Sequence, residues 1–98
     1  MTPYHLVYAD KRVQKRFIQF INQLPAHQRE KIFDALETLK VNPRPRQFKI
    51  LAQPVFVYGY WAPCRLRIEN FRVLYDIDES RKTVVILAIR RRNEKTYL

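Results

Sequence analysis

The feature that most constrains the fold of this 98-residue chain is a stretch in its second half where apolar and polar side chains alternate. Successive side chains of a β-strand point to opposite faces of a sheet, so alternation indicates a strand with one buried face. The apolar positions of this stretch are Cys64, Leu66, Ile68, Phe71, Val73, Tyr75 and Ile77. Glu69-Asn70 interrupts the pattern and leaves room for a turn. Residues 64–77 are therefore predicted to form a β-hairpin with one apolar face.

The first half of the chain has helical periodicity instead. Residues 4–8 are predicted to form a short strand, and Asp10 after them is a good helix N-cap. The apolar face of the helix that follows, opposite a basic face, consists of Val13, Phe17, Phe20, Ile21 and Leu24. Pro25 begins a second helix, which ends at the proline-rich connector 42–46. The apolar stripe of this second helix consists of Ile32, Phe33, Leu36 and Leu39.

The last predicted element is a strand at residues 83–89, a near-continuous run of β-branched and other apolar residues after a turn at 78–82. The predicted order is β-α-α-β-β-β. This is an α+β fold, a mostly antiparallel sheet with the two N-terminal helices packed on one face. We expect the other sheet face to be free for a ligand. A chain of this length has material for one core, so residues 1–98 are predicted to be a single domain.

The segment 54–63, Pro-Val-Phe-Val-Tyr-Gly-Tyr-Trp-Ala-Pro, is rich in aromatic residues and contains the only glycine, Gly59. The favoured interpretation is a strand or hairpin extension that packs on the core. The alternative is a platform on which nucleic-acid bases stack.

The charge of the chain points to a polyanionic partner. It has 19 Lys and Arg against 9 Asp and Glu, with a formal net charge of +10, and arginines occur in runs. This balance is typical of nucleic-acid binders. A protein kept soluble by its charge, or one paired with an acidic protein, is the alternative.

The cysteine count and the hydropathy pattern bear on where the protein works. With Cys64 as the single cysteine, no internal disulfide can form, so a cytoplasmic location is expected. We find no signal peptide and no run of about eighteen apolar residues that could span a membrane. The sequence contains no metal-ligand spacing and no glycine-rich phosphate loop, so no cofactor and no metal are expected.

The polar positions of the predicted hairpin carry the candidate site. Arg65, Arg67 and Arg72 point away from the apolar face, and the following strand ends in Arg90-Arg91-Arg92. If the hairpin pairs around Glu69-Asn70, these guanidinium groups share the uncovered sheet face. Like charges placed so close repel unless an anion lies between them. Ordinary solvated arginines are the alternative, which is less credible for several converging side chains.

These same residues carry a resemblance to a known family. The run from Arg65 to Asp78 resembles the signature "R-L-R-hydrophobic-G-x-Y-R-hydrophobic-hydrophobic-Y-x-hydrophobic" of the RelE/ParE toxin superfamily. The segment 91–97 resembles that family's closing "R-R…-Y" element, and the connector at 42–45 is also typical of it. Asn70 departs from the signature, which usually has a turn with glycine, and segment 54–63 is more aromatic than usual.

The resemblance implies a toxin of a type II toxin–antitoxin system, inhibited by a cognate antitoxin protein. For the RelE branch it implies an endoribonuclease that cleaves mRNA on the ribosome and inhibits translation, with no membrane involved. The catalytic groups carried over by position are Arg65, Arg67, Arg72, Arg91 and Tyr97. Further RNA-binding residues are expected to be Arg90, Arg92, Lys95 and Lys49.

The proposed base and the competing functions follow from the same comparison. Relatives carry lysine at the positions of Arg65 and Arg67, and arginine does not lose its proton in proteins. Tyr97 is therefore the candidate base, with a pKa lowered by neighbouring guanidinium groups. Two other functions stay open: a ParE-like toxin that inhibits DNA gyrase, and an RNA-binding relative that does not cleave.

Overall fold

The computed structural model describes residues 3–92 of the chain. Its elements are β1 (His5–Tyr8), α1 (Lys11–Asn22), α2 (Ala26–Val41), β2 (Phe48–Val57), β3 (Tyr60–Ile68), β4 (Phe71–Asp78) and β5 (Thr83–Arg91). The five strands form one sheet in the order β1-β5-β4-β3-β2. β1 pairs parallel with β5, and the other pairs are antiparallel. The predicted α+β fold, with two helices followed by an antiparallel meander, is confirmed.

The meander has one strand more than the sequence predicted, because β2 precedes the hairpin of β3 and β4. β2 contains Pro54 and is interrupted by a register shift between Ile50 and Val55, so its side chains do not alternate simply. Proline is tolerated there because β2 lies at the edge of the sheet. Segment 54–63 forms the end of the β2–β3 hairpin, as the favoured interpretation predicted, and packs on the sheet through Val57 and Ala62, whereas Phe56 and Trp61 are exposed.

Both helices form where the capping and periodicity predicted. The carboxylate of Asp10 accepts a hydrogen bond of 2.8 Å from the Val13 amide and so caps α1. The buried residues of the helices are Val13, Phe17, Ile21, Ile32, Leu36 and Leu39. Phe33, which was predicted to belong to the apolar stripe of α2, is 41% exposed. It follows Ile32 by about 100° around the helix axis, which turns it away from the sheet.

The main core lies between the helices and one face of the sheet. It joins buried residues of both helices, such as Phe17 and Ile32, to the apolar positions of β3 and β4, including Leu66, Val73 and Tyr75. Tyr75 is fully buried, and its hydroxyl donates a 2.7 Å hydrogen bond to the carbonyl of Pro43 in the connector. Burial raises the pKa of this phenol, so it stays protonated and keeps that bond.

The second face of the sheet is partly covered, so the prediction that this face is free is wrong for half of it. The end of the β2–β3 hairpin folds over it and forms a second buried cluster: Val57, Ala62, Leu74, Leu87 and Ala88. The Tyr60 hydroxyl donates a 2.6 Å hydrogen bond to the Asp10 carboxylate, at the opposite edge of the sheet from β2. The cause is apolar surface on β4 and β5 that water would otherwise contact.

An exposed carboxylate connects three separate segments at the far end of the sheet. Glu79, in the turn between β4 and β5, accepts hydrogen bonds from the Tyr4 hydroxyl at 2.9 Å and from Lys82 at 3.2 Å. Arg44 of the connector lies 2.7 Å from the same carboxylate. The hydrogen bonds from Arg44, then Tyr4 and Lys82, lower the pKa of Glu79 to about 2.

The lowered pKa predicts how acid affects stability. A carboxyl group whose pKa is depressed on folding stabilises the fold above its unfolded-state pKa, near 4.5, and loses that contribution as the pH falls toward 2. Glu79→Gln should therefore lower the thermal unfolding midpoint at pH 7 and weaken its dependence on pH between these values. The exposed α2 variant Glu30→Gln is the control, and an identical acid dependence in both variants would contradict the assignment.

Candidate nucleic-acid interface

Strand register places arginines from three adjacent strands side by side. Arg67 on β3 pairs with Arg72 on β4, and Arg72 pairs with Arg90 on β5. Their neighbours in sequence, such as Leu66 and Val73, belong to the main core under the helices, so these three side chains lie on the opposite face. We call Arg67, Arg72 and Arg90 the arginine row.

Two more basic residues extend the arginine row on the same face. Lys49 on β2 pairs with Arg65 on β3, and Arg65 pairs with Leu74, which lies on the face opposite the helices. A cleft on this face is lined by Lys49, Leu51, Arg65, Arg67, Arg72 and Leu74. These lining residues are basic or apolar, and none is acidic. Among the predicted site residues, the structure thus brings Lys49, Arg65, Arg67, Arg72 and Arg90 together.

Arg91 was predicted to cluster on this face with Arg65, Arg67 and Arg72, and that placement is wrong. Arg91 pairs with Phe71, and its guanidinium carbon lies 5.5 Å and 5.6 Å from the ring centroids of Phe20 and Phe71, on the helix side.

A β-bulge is the physical reason for this difference. The register between β4 and β5 shifts after the pair Leu74–Ala88, because Tyr75 pairs with Ile86 and leaves Leu87 as an extra residue. Leu87 and Ala88 both pack into the second cluster, on the face opposite the helices. The alternation of β5 is thereby shifted by one residue, so Arg90 faces the arginine row and Arg91 faces the helices.

Arg91 still lies close to the row, around the end of the sheet. A second cleft there is lined by Asn70, Arg72, Arg91 and Arg92, and the Arg92 amide donates a 2.7 Å hydrogen bond to the Asn70 carbonyl. Arg72 therefore borders both clefts. The predicted residues Lys95 and Tyr97 lie outside the described residues.

Sequence reasoning missed Tyr58, which contacts the row, and Arg16, which contacts Tyr58. The Tyr58 hydroxyl accepts a 3.1 Å hydrogen bond from Arg90, and the guanidinium carbon of Arg16 lies 4.0 Å from the Tyr58 ring centroid. The available signal was the Tyr58-Gly59 pair between two apolar runs, since a glycine there indicates a two-residue hairpin loop. Only the folded hairpin shows that this loop reaches α1 and β5.

The chemistry that this surface supports is anion binding. Guanidinium groups are planar donors that match phosphate oxygens, and they do not act as bases.

The thiol of Cys64 is not a nucleophile here, because burial raises its pKa to about 11. Within residues 3–92, we find no group of three or more His, Cys, Asp or Glu side chains that could hold a metal ion. In the same range, no helix is long and apolar enough to span a membrane.

Comparison with known families then assigns the chain. Residues 7–96 match the model of the family described as "ParE toxin of type II toxin-antitoxin system, parDE". The chain belongs to the ParE toxin family of type II toxin–antitoxin systems. The predicted membership of the RelE/ParE superfamily is thus confirmed. A comparison with curated protein sequences gives no match for this toxin.

Solved structures of related toxins have the same fold. A chain of the archaeal RelE–RelB complex from Pyrococcus horikoshii OT3 is 21% identical, with a TM-score of 0.71 over 96% of the toxin and 99% of that chain. A chain of the toxin–antitoxin complex RelBE2 from Mycobacterium tuberculosis is 23% identical, with a TM-score of 0.64 over 96% and 97%. A mutant of E. coli RelE in the free state is 18% identical, with a TM-score of 0.59 over 93% and 85%.

The arginine row predicts a measurable effect on stability. Arg67 and Arg72 are directly paired like charges, which destabilise a sheet. Arg67→Gln should therefore raise the free energy of unfolding by about 0.5 kcal/mol at low ionic strength. The gain should shrink as salt screens the repulsion. Arg46→Gln, which removes the same charge from the exposed connector, is the control for net charge. A salt-independent loss of stability in Arg67→Gln would contradict repulsion within the row.

Proposed function

We propose that this toxin is a metal-independent endoribonuclease that cleaves mRNA on the ribosome and thereby inhibits translation in the cytoplasm. The observation that carries the proposal is the arginine row with Lys49 and Arg65 beside it, a concentrated positive charge on one sheet face. Such a cluster is unfavourable by itself and becomes favourable when an anionic backbone lies across it. The proposed ribosome dependence follows from the family resemblance to the RelE branch.

The proposed reaction uses the 2′-hydroxyl of the RNA as nucleophile. The hydroxyl loses its proton and attacks the adjacent phosphorus. The bond to the 5′-oxygen then breaks, leaving a 2′,3′-cyclic phosphate and a protonated 5′-hydroxyl. The pentacoordinate intermediate carries an extra negative charge, which Arg67 and Arg72 stabilise from the row. In this scheme the phenolate of Tyr97 accepts the proton of the 2′-hydroxyl, a solvent water gives a proton to the leaving 5′-oxygen, and the hydroxide so formed takes the proton back from Tyr97. Arg91 contributes from the cleft at the end of the sheet.

The toxin is also proposed to have an antitoxin partner. Two solved complexes that contain a chain of this fold, the archaeal RelE–RelB complex and the toxin–antitoxin complex RelBE2, support a partner of this kind. Exposed apolar side chains of the β2–β3 hairpin, such as Phe56 and Trp61, are available for a segment that folds on binding. An acidic part of the same segment would neutralise the arginine row.

Inhibition of DNA gyrase is the second candidate, because the matching family model is that of ParE toxins. A gyrase inhibitor acts through protein contacts and leaves mRNA intact. Purified toxin should be added in parallel to a reconstituted translation reaction, with mRNA ends mapped by primer extension, and to a gyrase supercoiling reaction. New mRNA ends that form only with ribosomes, and that toxin stripped of metal by prior dialysis against EDTA still produces, support the nuclease. Lost supercoiling with intact mRNA supports gyrase inhibition, and RNA binding with neither effect indicates a non-cleaving relative.

Two substitutions should separate charge stabilisation from proton transfer. Arg72→Gln should slow single-turnover cleavage by roughly 10²-fold, as expected for one lost oxyanion donor, and should also weaken RNA binding. Tyr97→Phe should slow cleavage with nearly unchanged binding, because it removes a group needed only in the transition state. It should also flatten the limb over which the rate rises with pH, which reports deprotonation of the base at an apparent pKa below about 10.

The control for these variants is Arg81→Gln, which removes an exposed arginine from the turn between β4 and β5 at the other end of the sheet. It should leave both rate and binding unchanged. Full activity of Tyr97→Phe would remove Tyr97 from the mechanism and leave stabilisation by arginines as the whole chemical contribution.

Salt dependence should show whether the antitoxin covers the arginine row. Salt screens each ion pair between the antitoxin and the arginine row, so the affinity of the complex should fall as salt is added. The variant Arg67→Gln/Arg72→Gln should reduce this dependence relative to the parent toxin. Equal salt dependence in the parent and the variant would place the antitoxin contact elsewhere, on apolar surface.

A further inference from the structure

The loop that joins β2 to β3 contains a tyrosine in a backbone conformation that disfavours it. Tyr58 has a φ of +51° and Gly59 a φ of +87°. A two-residue hairpin loop with two positive φ angles favours Asn, Asp or Gly at its first position. A bulky residue held in this region is a structural outlier, and such outliers persist where the surrounding contacts determine them.

The contacts that hold Tyr58 are made by two arginines from other elements. The guanidinium carbon of Arg16 on α1 lies 4.0 Å from its ring centroid, and that of Arg90 on β5 lies 5.2 Å from it. Nη1 of Arg90 donates a 3.1 Å hydrogen bond to the Tyr58 hydroxyl. Both guanidinium groups are within the range of a cation–π interaction. The loop therefore joins the hairpin to α1 and to the arginine row at once.

Arg90 lies among like charges, against which such a contact can hold it. It pairs with Arg72 on one side, and Arg16 approaches the same Tyr58 ring, so like charges lie close to it from two directions. Within residues 3–92, its buried Nε has no hydrogen-bond partner. A long side chain under such repulsion gains freedom by moving into water. The ring and hydroxyl of Tyr58 oppose that movement, because they offer it a π-face and an acceptor.

We propose that Tyr58 is a positioning residue that holds the Arg90 guanidinium within the arginine row, ready to bind an RNA phosphate. The inference rests on the proposed function only for the identity of the anion. The β2–β3 hairpin thereby has two roles. It covers the apolar part of this sheet face, and it orders one arginine of the basic part.

The test combines a direct measurement of Arg90 with a binding measurement. In toxin labelled with ¹⁵N-arginine, the heteronuclear NOE of the Arg90 Nε–H group should be high, and Tyr58→Phe should lower it. The probe for binding is a short 2′-O-methyl RNA, which has no attacking hydroxyl. Loss of a hydrogen bond to a charged group should weaken its binding by about fivefold in Tyr58→Phe. Arg90→Gln should weaken it by about tenfold, as one lost phosphate contact does.

A double-mutant cycle separates positioning from a structural effect. If Tyr58 acts through Arg90, Tyr58→Phe should have no further effect in an Arg90→Gln background. The matched control is Tyr60→Phe, which removes a hydroxyl from the same hairpin, where it bonds to Asp10, and should change neither measurement. The fluorescence of Trp61, the only tryptophan, should be the same in Tyr58→Phe as in the parent and so report an intact hairpin.

The outcomes distinguish this inference from the proposed function. An unchanged NOE in Tyr58→Phe, or additive losses of affinity in the double variant, overturns the positioning role. A lowered NOE together with no effect of Arg90→Gln on RNA binding or on mRNA cleavage overturns the use of Arg90 for RNA. A lowered NOE with non-additive losses supports both.

Discussion

The burial of alternate side chains along β3 and β4 is the constraint on which the rest of the structure depends. Leu66 and Val73 contribute to the core under the helices, which forces their neighbours Arg65, Arg67 and Arg72 to the opposite face. A slip of one residue in either strand would bury guanidinium groups in that core, at a cost far above any gain from repacking. The positive face is thus a direct consequence of how the apolar face is packed.

The amino-acid sequence predicts this part of the molecule well because the information is local. A cap such as Asp10, helical spacing and strict alternation each act within a few residues, and the family signature lies across the same strands. Three features could not be predicted that way. β2 is hidden by Pro54 and a register shift, the folding of the hairpin over the sheet depends on contacts between distant strands, and the bulge in β5 lies in a uniformly apolar run.

The two halves of the second sheet face are held together by one segment. On one half, Val57 and Ala62 of the hairpin cover apolar side chains of β4 and β5. On the other half, the basic residues stay accessible, and the Tyr58 loop lies between the two. A chain of this size has few residues with which to bury a second cluster, and using the same hairpin for both purposes avoids a separate element. The resemblance to the RelE/ParE superfamily holds although this hairpin is unusually aromatic.

The bulge at Leu87 also bears on how the charged surface tolerates change along the chain. Strand β5 ends in consecutive arginines, Arg90 and Arg91, and the bulge decides which of them faces the arginine row. If β5 alternated simply through the same sequence, with no extra residue at Leu87, Arg91 would point to this sheet face in place of Arg90, and the face would keep a third guanidinium. The repeated arginine therefore keeps the number of positive charges on this face the same in both registers. The contacts of the individual side chains, such as the hydrogen bond from Arg90 to Tyr58, would still be lost.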